Sequence, residues 1–184
     1  MKTDDLRLLI DKHLADEEYS DSLKYCNTLV KDHEKEITFD DLFKTGLCHF
    51  KLDQNEDAIR CFDRALEMEP DNLLAITNKA VSLYNLKRID EAFALFRTAL
   101  NINSNVFPPW HYMALHFLKK YRESGNNKTK EKLVNAVRHL ICLAPDYGNL
   151  TIHDPSNNDD CRLDVFLIIN DKIEELPIGE IAIP

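Results

Sequence analysis

The 184-residue sequence predicts an all-α fold, an array of antiparallel helix pairs with a C-terminal capping segment. Three observations predict it. The middle of the chain matches itself at a shift of 34 residues. Small and aromatic residues recur at the same places in each period. Only four glycines interrupt a composition 44% hydrophobic and 30% charged, a mixture that can bury a core. A fixed period of this length marks one repeated supersecondary unit, and scarce glycine favours helix over turn-rich β-architecture.

At that shift Gly46 falls on Ala80, Ala58 on Ala92, Phe62 on Phe96, Ala65 on Ala99 and Leu66 on Leu100. The two helices of a unit cross where side chains are small, Gly46 near Ala58 and Ala80 near Ala92. Phe62 and Phe96 are placed to fill the space between neighbouring pairs. Pro70 stops its helix, because it has no N–H to donate and a fixed φ. Asp53, Gln54 and Asn55 supply polar turn chemistry between the two helices. The order Gly46, Ala58, Phe62, Ala65, Pro70 resembles the tetratricopeptide repeat, whose pattern runs W-x2-L-G-x2-Y, A-x3-F-x2-A and P. Two full units are expected, at 39–72 and 73–106.

Degenerate units flank them. At 3–36, the residues from Asp21 to Leu29 align with those from Asp57 to Ala65, and Leu6, Leu9, Ile10 and His13 share a face. This unit lacks the glycine and the proline, as terminal repeats commonly do. At 107–146, Trp110 lies 34 residues after Ile76, and Ala114 and Phe117 follow Ala80 and Leu83 by the same step. Pro108 and Pro109 suit a first helical turn. Leu133, Val137, Leu140 and Pro145 fit only after extra polar residues at 122–128, expected as an exposed loop, with Thr129 capping the next helix. The array is thus expected over 1–146 and a polar linker over 147–158. A capping helix and apolar tail are expected over 159–184. The run 165–169 reads either as part of a helical stripe or as a buried strand. The tail either caps the last pair or folds back into the groove.

The resemblance implies a right-handed superhelix whose concave groove is lined by the first helix of each pair. Carried over position by position, the peptide-binding groove contains Phe43, Lys44, Leu47, Phe50 and Lys51. It continues with Leu74, Thr77, Asn78, Val81, Tyr84 and Asn85, then His111, Tyr112 and Leu115. The first unit offers Asp4, Arg7, Asp11, Leu14 and Ala15. Asn78 can pair with both groups of a bound peptide backbone. Lys44 and Lys51 are placed at the rim to meet an acidic partner. One subfamily grips the C-terminal carboxylate of heat-shock chaperones with a lysine–asparagine–asparagine–lysine–arginine clamp. Here Phe43 and Leu47 stand at the first two places, Pro108 and Tyr112 at the last two, and only Asn78 agrees. That ligand is not expected.

The function implied is a protein–protein interaction adaptor or scaffold that binds a peptide or helical segment. The alternatives are a chaperone or co-chaperone for a client protein, and an enzyme or regulatory subunit using 147–184. A net charge of -9 argues against nucleic acid. The sequence shows no signal-peptide pattern and no apolar run long enough to cross a membrane. Five cysteines, an odd number without a C-x-x-C, read as small core residues of a reducing, cytoplasmic compartment. No Gly-rich phosphate loop or G-x-S-x-G occurs, and His111 and His116 miss the i, i+4 spacing of a helical metal pair. Acidic pairs such as Asp4 and Asp5 read as solvated helix faces. No catalytic residue, metal or cofactor is expected. A homo-oligomer through the array ends remains a further option.

Overall fold

A computed structural model of the chain describes residues 1–143, so the expected linker, capping helix and tail lie outside the described residues. Among these residues there are eight α-helices, one 3-10 turn at Glu34–Glu36 and no strand. The helices are α1 (Thr3–Ala15), α2 (Tyr19–Asp32), α3 (Phe39–Lys51), α4 (Asn55–Met68), α5 (Leu73–Asn85), α6 (Ile89–Ile102), α7 (Phe107–Ser124) and α8 (Asn127–Leu143). The chain forms two compact units, Met1–Ser104 and a second that begins at Asn105.

In the first unit the hairpins α1–α2, α3–α4 and α5–α6 nest in sequence, α2 against α3 and α4 against α5. The small residues sit where close approach demands them. A Cβ at Gly46 would lie 2.6 Å from Cε1 of Phe62, a ring with no exposed surface. Leu6, Ile10, Cys26, Leu29 and Cys48 form the core shared by the first hairpin and α3.

Three hairpin turns close with the same hydrogen bonds. After α1, Glu17 N–H donates to the Leu14 carbonyl and Glu18 N–H to that of His13. Asp53 and Gln54 repeat this onto Phe50 and His49, and Lys87 and Arg88 onto Tyr84 and Leu83. This paired closure requires a left-handed residue. Glu17, Asp53 and Lys87 supply it at φ of 58°, 59° and 64°. Thr38 starts α3 with a capping box shared with Asp41, and the Asn72 side chain accepts from the Ala75 N–H to start α5.

The second unit corrects one expectation. Of the loop expected at 122–128 only residues 125 and 126 lie between helices: α7 runs 18 residues, against 13 for α1, α3 and α5, and α8 begins at Asn127. Its apolar stripe continues through Leu118 and Tyr121, so winding on buries more than a loop would. Gly125, left-handed at φ 59°, ends it. Thr129 is not the cap of α8. Asn126 is, its Oδ1 accepting from the Lys128 N–H at 2.8 Å. Ala114 and Leu118 of α7 meet Leu133, Ala136, Val137 and Leu140 of α8 in the core of this hairpin. Trp110 stacks on His139 with ring centres 3.9 Å apart.

Candidate partner-binding wall

The first helices of the three hairpins of the first unit follow one another as α1, α3 and α5, and charge pairs tie α1 to α3. Arg7 of α1 donates from Nε and Nη2 to the two oxygens of Asp41 on α3, at 3.0 and 2.8 Å. Asp41 also accepts from the backbone N–H and the hydroxyl of Thr38, at 3.0 and 2.8 Å. Its side chain is 2% exposed. Burial pushes this carboxyl pKa up, but Arg7 and the two Thr38 donors outweigh burial and hold it below the usual carboxylate range. Lys44 of α3 spans the same seam, 2.5 Å from Asp11 of α1 and 2.6 Å from Asp40 on its own helix. Its burial lowers the ammonium pKa, yet the two carboxylates more than reverse that and the net shift is upward. Lys79 of α5 reaches Asp63 of α4 at 2.5 Å.

On this wall the expected groove residues divide into three kinds. Leu74 is open, at 63% exposure, and Lys51 is exposed with its ammonium 5.6 Å from the centre of the Tyr19 ring. Phe43, Leu47, Phe50, Asn78 and Tyr84 are half-buried. Phe43 stacks on Phe39 and tilts against Phe62, with 5.8 Å between ring centres in both cases. Thr77 and Val81 are buried, at 7% and 5%, so they pack rather than present a surface. Asn78 spends its amide N–H on the Leu74 carbonyl at 2.8 Å, and exposed Asn85 donates to Asn55 at 3.3 Å. Lys44, already matched by two carboxylates, offers an acidic partner no spare charge.

The register also reveals a residue missing from the expected groove set. Leu8 of α1 is 73% exposed, the most open large hydrophobic side chain among the described residues. It stands six positions into its unit, as Lys44 and Asn78 do in theirs, and that shared register is its only signal in the sequence.

His111, Tyr112 and Leu115 belong to the second unit and are half-buried. His111 stacks on Phe107 and meets Tyr112 edge-on, and burial lowers its pKa. Burial raises that of Tyr112. Leu115 packs against the α7–α8 core.

The four thiols among the described residues are free: Cys26 and Cys48 are buried and Cys61 is half-buried, whereas Cys142 is exposed and not the core residue expected. Cys48 lies 3.4 Å from the Ser22 hydroxyl, and Cys26, hydrogen-bonded to Cys48 and buried, has its pKa pushed well up. Burial raises Cys61 to about 11. His13, Glu18 and Asp21 bring three ligand-type atoms within 4.8 Å. Their groups are already committed, however, His13 to Glu18 and Asp21 to Lys24, both at 2.6 Å. The left-handed turn at Glu17 makes this grouping, so no linear spacing shows it. No described helix is long and apolar enough to cross a membrane.

Comparison with known proteins agrees with the geometry. The family profile described as tetratricopeptide repeat matches residues 42–72 and again residues 74–106. No curated protein matches the chain by sequence. Among solved structures, MamA 41-end from Desulfovibrio magneticus RS-1 is similar with a TM-score of 0.67 at 17% identity, covering 94% of this chain and 96% of that one. YrrB, described as a TPR protein with an unusual peptide-binding site, gives 0.63 at 17% identity over 75% of this chain and 66% of its own. The first TPR of Spaghetti, bound to the HSP90 peptide SRMEEVD, gives 0.53 at 16% identity over 74% and 94%. These likenesses share the fold, an all-α tetratricopeptide architecture.

Proposed function

We propose that this chain, which carries tetratricopeptide repeats, is an interaction scaffold whose α1–α3–α5 wall receives an apolar segment of a partner polypeptide. One observation carries the reading. Leu8 and Leu74, 73% and 63% exposed, fall at groove positions of the repeat register in α1 and α5, and Phe43, Leu47 and Phe50 at such positions of the intervening α3 are half-buried. Exposed apolar residues that cluster on one surface mark interaction sites, whereas scattered ones need no explanation. The paired state of Lys44 sets the chemistry expected of the ligand. A carboxylate-rich peptide would have to displace Asp11 and Asp40, while an apolar one disturbs nothing. Peptide capture by YrrB and Spaghetti is support by analogy of fold only. A cytoplasmic location fits the free thiols.

The test is affinity capture from the source cells with the full chain, in parallel with a Leu8→Asp/Leu74→Asp variant. A partner retained in stoichiometric amount by the first and lost from the second is expected. A peptide from that partner, titrated calorimetrically, should lose about 1–3 kcal/mol on Phe50→Ala if Phe50 is an anchor. Equal capture by both baits, or an unchanged affinity in Phe50→Ala and Leu74→Ala alike, rejects the wall as the site.

A further inference from the structure

Charge along this chain is segregated. Residues 1–104 hold 14 Lys and Arg against 21 Asp and Glu, and residues 144–184 hold 2 against 9. Between them, residues 105–143 hold 7 against 2. The excess gathers at one end of one hairpin: residues 119–132 hold six of the seven cations together with both acidic residues, Glu123 and Glu131, an excess of four. Lys119 and Lys120 lie near the end of α7, and Lys128, Lys130 and Lys132 near the start of α8, on either side of the Gly125–Asn126 turn. At a rise of about 1.5 Å per residue, all five lie within about 10 Å of that turn along the helix axes. That is about one Debye length at 0.1 M salt, so their fields add.

We infer that the tip of the α7–α8 hairpin is a docking surface for an acidic polypeptide segment. The hairpin itself does not use these charges. Lys119, Lys120, Lys128 and Lys130 make no ion pair among the described residues, and the Lys132 ammonium lies 5.5 Å from the centre of the Phe117 ring. The placement is also adverse. The helix dipole puts partial positive charge at an N-terminus, where α1, α3, α4 and α6 each carry two acidic residues in the first turn. The first turn of α8 has none, and Lys128 and Lys130 stand there instead. Each such cation opposes helix formation until an anion arrives to match it.

A short carboxylate-bearing segment fits the tip better than a long polyanion or a lipid surface. The chain's net charge of -9 disfavours a long polyanion. The large hydrophobic side chains exposed among the described residues, Met1, Leu8, Met68, Leu74 and Ile102, all belong to the first unit. The tip therefore has no apolar wedge for a membrane and no open platform for base stacking.

Fluorescence anisotropy of a short labelled glutamate-rich peptide against the full chain tests this. Saturable binding is expected, weakening as sodium chloride is raised. It should weaken on the order of tenfold or more in the Lys119→Gln/Lys120→Gln/Lys128→Gln/Lys130→Gln variant, with an unchanged or higher Tm. If that variant unfolds, Lys119→Gln/Lys120→Gln answers the same question. The proposal is overturned by no saturable binding to the full chain, which includes the case of its own acidic stretch 144–184 holding the tip. It is equally overturned by full affinity in the variants, or by tighter binding of an RNA oligonucleotide of equal charge or of phosphatidylserine vesicles.

Discussion

Removing the Asp41 carboxylate should loosen the wall from within. Asp41→Ala deletes an acceptor of four hydrogen bonds, two from Arg7 and two from Thr38, at a side chain only 2% exposed. Breaking a buried ion pair costs roughly 3–5 kcal/mol, because the remaining charge is stranded. Arg7 is 32% exposed and can turn to water, which discounts that figure. Loss of the capping box adds back about 1 kcal/mol. The expected net is about 3 kcal/mol, a fall of about 6–12 °C in Tm for a chain of this length. Urea denaturation followed by circular dichroism at neutral pH measures it, with Arg7→Ala and the double variant completing a cycle. The pH dependence has a definite sign. The folded carboxyl pKa is depressed, so its contribution is complete above the unfolded value of about 3.9 and is lost as pH falls through the lower folded value. Wild type and Asp41→Ala should therefore converge in stability below about pH 4. A loss under 1 kcal/mol at neutral pH, or a gap that stays constant down to acid, would refute the brace.

Three further outcomes follow from contacts in the fold. Gly46→Ala places a Cβ 2.6 Å from a fully buried ring, so overpacking of about 1–3 kcal/mol should exceed the helix-propensity gain of about 1 kcal/mol; thermal melts should show net loss, eased in Gly46→Ala/Phe62→Leu. Lys87→Gly should raise stability by about 0.5–1 kcal/mol, since a side chain at φ 64° is strained where glycine is not; a lower urea midpoint would contradict that. Lys128→Glu/Lys130→Glu should raise Tm by removing cations from a helix N-terminus, at about 0.3–1 kcal/mol per site, while abolishing capture of the acidic peptide.

Much of the fold is legible in the sequence because helix pairing is a periodic property. Gly46, Phe62 and their counterparts Ala80 and Phe96 state where helices cross, and the structure places the crossing there. Turn closure is less legible. Glu17 and Lys87 adopt a conformation their types disfavour, held by two backbone hydrogen bonds that no side chain announces. The polar residues at 122–124 look like loop because composition separates loop from helix poorly at a solvated hairpin end. What extends α7 is the apolar stripe that ends at Tyr121. The candidate site is the least legible part. Register names the positions facing the wall, but Thr77 and Val81 are covered and Lys44 is neutralised by Asp11 from another hairpin. Both depend on neighbours more than 30 residues away in sequence or on packing depth, neither of which a local pattern encodes.

The two proposed surfaces obey different physics, and that difference separates them even before any partner is known. Binding on the α1–α3–α5 wall removes apolar area from water, so it should carry a negative heat-capacity change and depend little on salt. Binding at the α7–α8 tip joins opposite charges in water, so it should weaken steeply with ionic strength and leave heat capacity nearly unchanged. Leu8 and Leu74 are neutral and the tip lysines lack exposed apolar neighbours, so neither surface can imitate the other's response. A ligand sensitive to both variables must touch both units. For such a ligand, the Leu8→Asp/Leu74→Asp change should abolish the heat-capacity signal and leave the salt dependence, and the lysine variant should do the reverse. If each change removed both signals together, the two surfaces would be a single site and the division drawn between them would be wrong.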